Sequence, residues 1–212
     1  MRISHLFILL AASAMLTACD FLDEYNPNSV TVGNYYTSEE DIVASLNGVY
    51  TSLTQSYVAD NYHYFTDVRA NATVVTNSGA NSGIPYQFYN YTLTEENVYV
   101  YNRYSQLYKI ISRANTLFAH LGDVSYATPS ARDTYEAEAR FLRALSYYWL
   151  VTEWGDVPLV LKVLESTEEV RANNYRRPKA EIYQAIFDDL KYVTESPLLD
   201  VQPASALSLI HI

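Results

Sequence analysis

Four stretches of this chain repeat apolar residues at every third and fourth position, and nowhere does the alternation of a large sheet appear, so the fold is mainly α. Thr37-Ser38-Glu39-Glu40-Asp41 offers a capping box with acids in the first turn. Ile42, Leu46, Val49, Tyr50 and Leu53 follow at helical spacing, which predicts a first helix over about 38–56. A second cap at Thr94-Glu95-Glu96-Asn97 opens a longer pattern through Val98, Tyr101, Tyr104, Tyr108, Ile111, Ala114, Phe118 and Leu121. Gly122 then sits where a left-handed terminator is expected. Thr128-Pro129 starts a third helix, with Pro at its first position, which runs through Ala139, Leu142, Leu145 and Trp149 and stops at Gly155. The fourth spans about Pro178 to Thr194 through Ile182, Ile186 and Leu190. Between the last two, Val157-Pro158-Leu159-Val160-Leu161 reads as a short extended piece, so little sheet is expected. Small residues at Ala139, Ala144 and Ala185 let helices approach closely, in the manner of stacked tetratricopeptide-like hairpins, although the repeat period is not clean.

The exception to this economy lies between the first two helices. Residues 57–94 are far too many for a simple connection in a compact bundle, and connections of that length are usually functional or disordered. Tyr57, Tyr62, Tyr64, Phe65, Tyr86, Phe88, Tyr89 and Tyr91 argue against disorder, while the Gly-, Ser- and Asn-rich stretch 77–83 reads as the tip. The chain as a whole carries 21 Tyr against 7 Phe and 2 Trp. Tyrosine at that density suits surfaces that are apolar and hydrogen-bonding at once.

Charge and cysteine usage exclude several functions. With 14 Lys and Arg against 24 Asp and Glu, the net charge is −10, and no basic stripe is present for nucleic acid. A single Cys excludes an internal disulfide framework and a Cys-cluster zinc site, and the 4 His show no His-Glu-x-x-His spacing. No cofactor or metal is implied. A hydrolase needs two carboxylates at a fixed separation; Asp60, Asp67, Glu95 and Glu96 are present, but nothing fixes a pair, and the two glutamates read as helix-start acids. No nucleophile elbow or phosphate loop occurs, so no catalytic residue is assigned.

The first residues point to a compartment. Arg2 precedes an apolar run from Leu6 to Leu16, a length that suits a signal-peptide core and is too short to span a bilayer. It runs into Leu16-Thr17-Ala18-Cys19, which resembles a bacterial lipobox. Cleavage before Cys19, with acylation of its thiol and new amino group, would supply the two or three chains that stable anchoring needs. Asp20, Asp23 and Glu24 resemble the acidic tag that sends Bacteroidota lipoproteins to the outer face of the outer membrane. The expected organisation is a signal peptide over 1–18, an acylated terminus and tether over 19–36, a helical domain over 37–196, and a truncated or non-native tail over 197–212.

The run Glu138-Ala139-Arg140-Phe141-Leu142-Arg143-Ala144, followed by Gly155-Asp156-Val157-Pro158-Leu159, resembles the RagB/SusD family of Bacteroidota outer-membrane lipoproteins. Ile111-Ser112-Arg113-Ala114-Asn115 and Arg177-Pro178-Lys179-Ala180-Glu181-Ile182-Tyr183 are similar to further family segments. The resemblance covers residues 19–196, and it implies a chain shorter than the several hundred residues of most members. Arg140, Arg143, Gly155, Asp156 and Pro158 read as structural: the arginines pairing with acids or carbonyls, Gly155 ending a helix, Asp156 bonding local backbone, Pro158 setting an extended exit.

What the resemblance implies about function is a surface-exposed protein, lipid-anchored in the cell outer membrane, that binds glycan and works beside a SusC-like TonB-dependent transporter. Aromatic faces take the C–H side of a sugar ring, and amides, carboxylates and guanidinium groups take its hydroxyls. In the Tyr-rich insertion, Tyr62, Tyr64, Tyr86 and Tyr89 are the candidate platform, with Asp67, Arg69 and Asn71 as polar contacts. The alternatives are a helical scaffold that docks a transporter without a ligand site of its own and, furthest behind, a glycoside hydrolase.

Overall fold

The computed structural model describes residues 35–55, 57–75 and 83–196. The expected leader, Cys19, the tether, the tail after 196 and most of the insertion's tip lie outside the described residues. The chain divides into units of residues 1–35 and 36–212, and the helices that pack together lie in the second.

Helix α1 spans Glu39–Leu53. The Asp41 carboxylate accepts from the backbone N–H groups of Ser38 at 2.9 Å and Thr37 at 3.0 Å, which would otherwise be orphaned at the helix start. The Thr37 N–H, then the Ser38 hydroxyl, hold the Asp41 pKa below its ordinary value of 3.8. Ile42, Leu46 and Val49 form the buried face. Glu39 ties this end to the bundle, accepting from Ala127 N–H and the Tyr135 hydroxyl, each at 2.7 Å.

A π-helical turn at Tyr64–Val68 and helix α2, Gly83–Tyr89, occupy the insertion. Helix α3 spans Val98–His120, α4 Ala131–Trp154, α5 Thr167–Asn173 and α6 Lys179–Glu195. Among the described residues there is no strand, only an isolated antiparallel bridge between Val157 and Arg177. Helix α4 packs against α1, α3 and α6, and α1 also packs against α3. The core joins Ile42, Leu46 and Val49 of α1 to Leu107, Ile110, Ile111, Ala114 and Leu117 from α3, Ala139, Leu142, Tyr147 and Leu150 from α4, and Ile182 and Ile186 from α6.

The structure corrects three details of the expected caps. The cap of α3 is Asn97 rather than Thr94: its Oδ1 accepts from Tyr99 and Val100 N–H. Glu95 and Glu96 therefore lie in the turn before the helix, and its first turn holds no acid. Gly122 is not left-handed; α3 ends with Leu121 still right-handed, closed by Asp123 N–H on the His120 carbonyl. Pro129 stands in the turn before α4, whose N-cap is Ser130. Gly155, at φ 77° and ψ −119°, stops α4 in a conformation a side chain would strain.

Behind Gly155 the chain is held by a buried ionic network. Arg143 donates to both oxygens of Asp189 at 2.8 Å, to Asn115 Oδ1 at 2.7 Å and to the Leu161 carbonyl. Arg140 donates to Asp189 and Glu136, and the ring of Phe118 covers both guanidinium groups. Asn115 turns its amide onto the Val160 and Lys162 carbonyls, so one chain of bonds joins α3, α4, α6 and the extended piece. The Asp156 carboxylate reaches Lys179 N–H at 2.9 Å and caps α6 from across the loop, rather than bonding local backbone. The Pro158 carbonyl accepts from the Tyr108 hydroxyl at 2.6 Å.

Candidate functional site

The insertion is anchored on a fully buried arginine. Arg103, on the apolar face of α3, donates Nε and Nη2 to the two Glu153 oxygens at 2.7 and 2.6 Å and Nη1 to the Tyr57 and Val58 carbonyls at 3.2 Å. Its guanidinium lies 4.7 Å from the ring of Tyr62, 4.9 Å from Phe65 and 5.4 Å from Trp149. Such stacking lets an arginine be desolvated among rings while its donors stay satisfied.

Around it the aromatic side chains interlock. Tyr62 sits 6.0 Å from Trp149, and Phe65 lies edge-on to Phe88 at 4.9 Å and 6.3 Å from Trp154. Tyr64 meets Tyr99 edge-on at 5.2 Å and Phe88 at 5.8 Å. Burial raises the Tyr99 pKa, with Tyr64 and Tyr57 adding to the effect, so its hydroxyl keeps its proton. Asn97 joins this wall to α2: while its Oδ1 caps α3, its Nδ2 donates to the Ile84 carbonyl at 3.1 Å and to Gln87 Oε1 at 2.8 Å.

The sequence candidates fall into three places. Tyr62 and Tyr64 are half-buried in the wall that fastens the insertion to α3 and α4. Tyr86 and Tyr89 form a half-buried pair on α2 with centroids 5.6 Å apart. Asp67, Arg69 and Asn71 are exposed and share one turn, closed by the N–H of Ala72 on the Asp67 carbonyl at 2.8 Å. The π-helical turn packs against α2, which brings the polar turn and the tyrosine pair into one region.

Sequence reasoning missed Arg103 and Glu153, whose signal was a lone charge on an apolar stripe. It did not single out Tyr91, which is 62% exposed, and it set Val98 and Tyr101 on the apolar stripe of α3, where the structure leaves them 38% and 67% exposed because the first turn of that helix projects beyond the packed core. Tyr91 is tied to the polar turn: its hydroxyl donates to the Arg69 carbonyl at 2.6 Å and accepts from Asn71 Nδ2 at 3.3 Å. Along α3 and the segment 158–174 runs a separate cleft of about 250 Å³, lined by Tyr104, Tyr108 and Pro158 among others. Among the described residues no group of His, Cys, Asp and Glu is placed to hold a metal ion, and no helix is long and apolar enough to cross a membrane.

A SusD-like family model, described as starch-binding and associating with the outer membrane, matches residues 20–199. SusD-like protein P2 of Formosa agariphila is 28% identical over 207 residues, covering 97% of this chain and 39% of that protein. A SusD-like protein of Bacteroides ovatus is 25% identical, covering 91% and 35%. A laminarin-binding SusD-like protein superposes with a TM-score of 0.63 at 28% identity, over 74% of this chain and 34% of the other. NanU of B. fragilis, at 22% identity and a TM-score of 0.65, shares the fold over 82% of this chain. The chain thus spans about two fifths of the length of the curated relatives it matches. With the match running from before the first helix to beyond the last, and with the helical hairpins superposing on solved members, the chain belongs to the SusD-like family, which is defined by binding rather than by a reaction.

Proposed function

We propose that this protein captures oligosaccharides at the outer face of the outer membrane, held there by acyl chains on Cys19, and passes them to a SusC-like TonB-dependent transporter. The observation that carries the reading is the family match over residues 20–199, a family described by starch binding and outer-membrane association. The insertion supports it chemically, because tyrosine rings and a turn bearing Asp67, Arg69 and Asn71 supply the two kinds of contact a sugar requires. The acidic balance of the chain favours neutral glycans over polyanionic ones.

Native gel electrophoresis of the purified chain through soluble starch and through laminarin tests the proposal. Retardation in either polysaccharide, absent in a plain gel, is expected. Unchanged mobility in both overturns glycan capture. Release of reducing ends from either polysaccharide would replace binding with hydrolysis.

A further inference from the structure

From its backbone and its exposure we infer that Tyr91 is the pyranose-stacking residue of the insertion, while the half-buried tyrosines of the wall fasten the insertion to α3 and α4. The inference rests on the proposed glycan capture and assigns its principal contact.

Helix α2 ends at Tyr89, and Thr92 N–H closes onto the Gln87 carbonyl at 3.1 Å, the six-to-one bond of a Schellman end. The residue inside that closure is left-handed, and glycine is its usual occupant because it has no Cβ to clash. Here the position holds Tyr91 at φ 57°. A bulky residue with positive φ is a genuine outlier, and folding alone would favour glycine. Such outliers collect at ligand sites, where the surrounding structure over-determines them.

The surroundings of Tyr91 do over-determine it. Its hydroxyl donates to the Arg69 carbonyl and accepts from the amide of Asn71, the other described non-glycine residue with positive φ, at 55°. Two left-handed residues from two separate turns of the insertion therefore lock one ring. With the hydroxyl spent on these partners, what the side chain offers to solvent is its ring, and it remains 62% exposed. A pinned, exposed aromatic face loses little freedom when a ligand lands on it. Asp67 and Arg69, exposed on the turn to which Tyr91 is tied, supply a carboxylate and a guanidinium for ring hydroxyls. Tyr62 and Tyr64, by contrast, spend their faces on Arg103, Trp149, Phe88 and Tyr99.

The test uses the full chain carrying Tyr91→Gly or Tyr91→Phe, with thermal melting and affinity electrophoresis in starch and laminarin. Tyr91→Gly is expected to melt at or above the temperature of the unaltered protein and to bind about tenfold more weakly. Tyr91→Phe, which keeps the ring and loses its tether, is expected to fall between the two in affinity. Full binding by Tyr91→Gly overturns the inference and leaves glycan capture standing. A lowered melting temperature together with lost binding also overturns it, because the ring is then a structural tie. If the unaltered chain binds neither polysaccharide, the proposed function and this inference fall together.

Discussion

Replacing Arg103 by Met is the sharpest test of how the insertion is held. The guanidinium is fully buried, and the Glu153 side chain is only 12% exposed. Removing the cation leaves that carboxylate without its two bonds at 2.6 and 2.7 Å and frees the Tyr57 and Val58 carbonyls. Breaking one side of a buried ion pair costs about 3–5 kcal/mol, because the partner charge stays desolvated. Met fills much of the space among Tyr62, Phe65 and Trp149, so the loss is electrostatic more than a cavity. At an m-value of about 2 kcal/mol per molar urea, the unfolding midpoint should fall by roughly 2 M. A second variant, Arg103→Met with Glu153→Gln, removes the orphaned charge and should recover a large part of the loss. Hydrogen exchange should rise first in residues 57–68, before the amides of α4 and α6. A midpoint shift below about 0.5 M, or a double variant no better than the single one, would refute the reasoning.

Three further outcomes follow from the geometry. Asp189→Ala strands Arg140 and Arg143 together and should cost about 3–5 kcal/mol in urea unfolding, with a loss under about 1 kcal/mol counting against the network. Gly155→Ala meets no atom within 4 Å of the added Cβ, so its cost is backbone strain alone, about 1–3 kcal/mol by thermal or urea unfolding. Asp41 has its pKa depressed in the folded protein, so its contribution is present above 3.8, the ordinary value, and is lost as pH falls through the folded one. The melting temperatures of the unaltered chain and Asp41→Asn should therefore differ at pH 5–7 and converge well below pH 3.8, and a gap independent of pH would contradict the cap.

The helices that could be read from sequence are those with a buried stripe. Helices α1, α3, α4 and α6 each bury a repeating apolar face, and their bounds fall within three residues of expectation. Helix α5 buries no residue and so leaves no periodic trace; only the Ser166 cap, which accepts from Glu169 N–H, marks it. Helix α2 and the π-helical turn are too short for periodicity, and their order comes from packing Val68, Pro85 and Phe88. Asn97 was legible as part of a cap, but its bonds to Ile84 and Gln87 depend on a helix ten residues upstream.

The candidate site was legible in its location more than in its parts. Tyrosine density marked the insertion, yet composition cannot separate Tyr62, whose face covers Arg103, from Tyr91, whose face meets solvent. That distinction depends on a lone arginine in the apolar stripe of α3 and on a left-handed turn, neither visible as a pattern of hydrophobicity. The arginines of the α4 motif offered the reverse case. Arg140 and Arg143 stand three apart on one helix, so a common acidic partner was foreseeable, while its position at Asp189 on α6 required the packed hairpins.

Retention of fluorescently labelled starch or laminarin by intact cells tests the central claim most directly, comparing the unaltered chain with Cys19→Ala and with Tyr91→Gly at matched expression. Cells carrying the unaltered protein should hold the polysaccharide on their surface, and both variants should release most of it: one because the protein leaves the membrane, the other because the sugar does. Equal retention by all three would contradict the account.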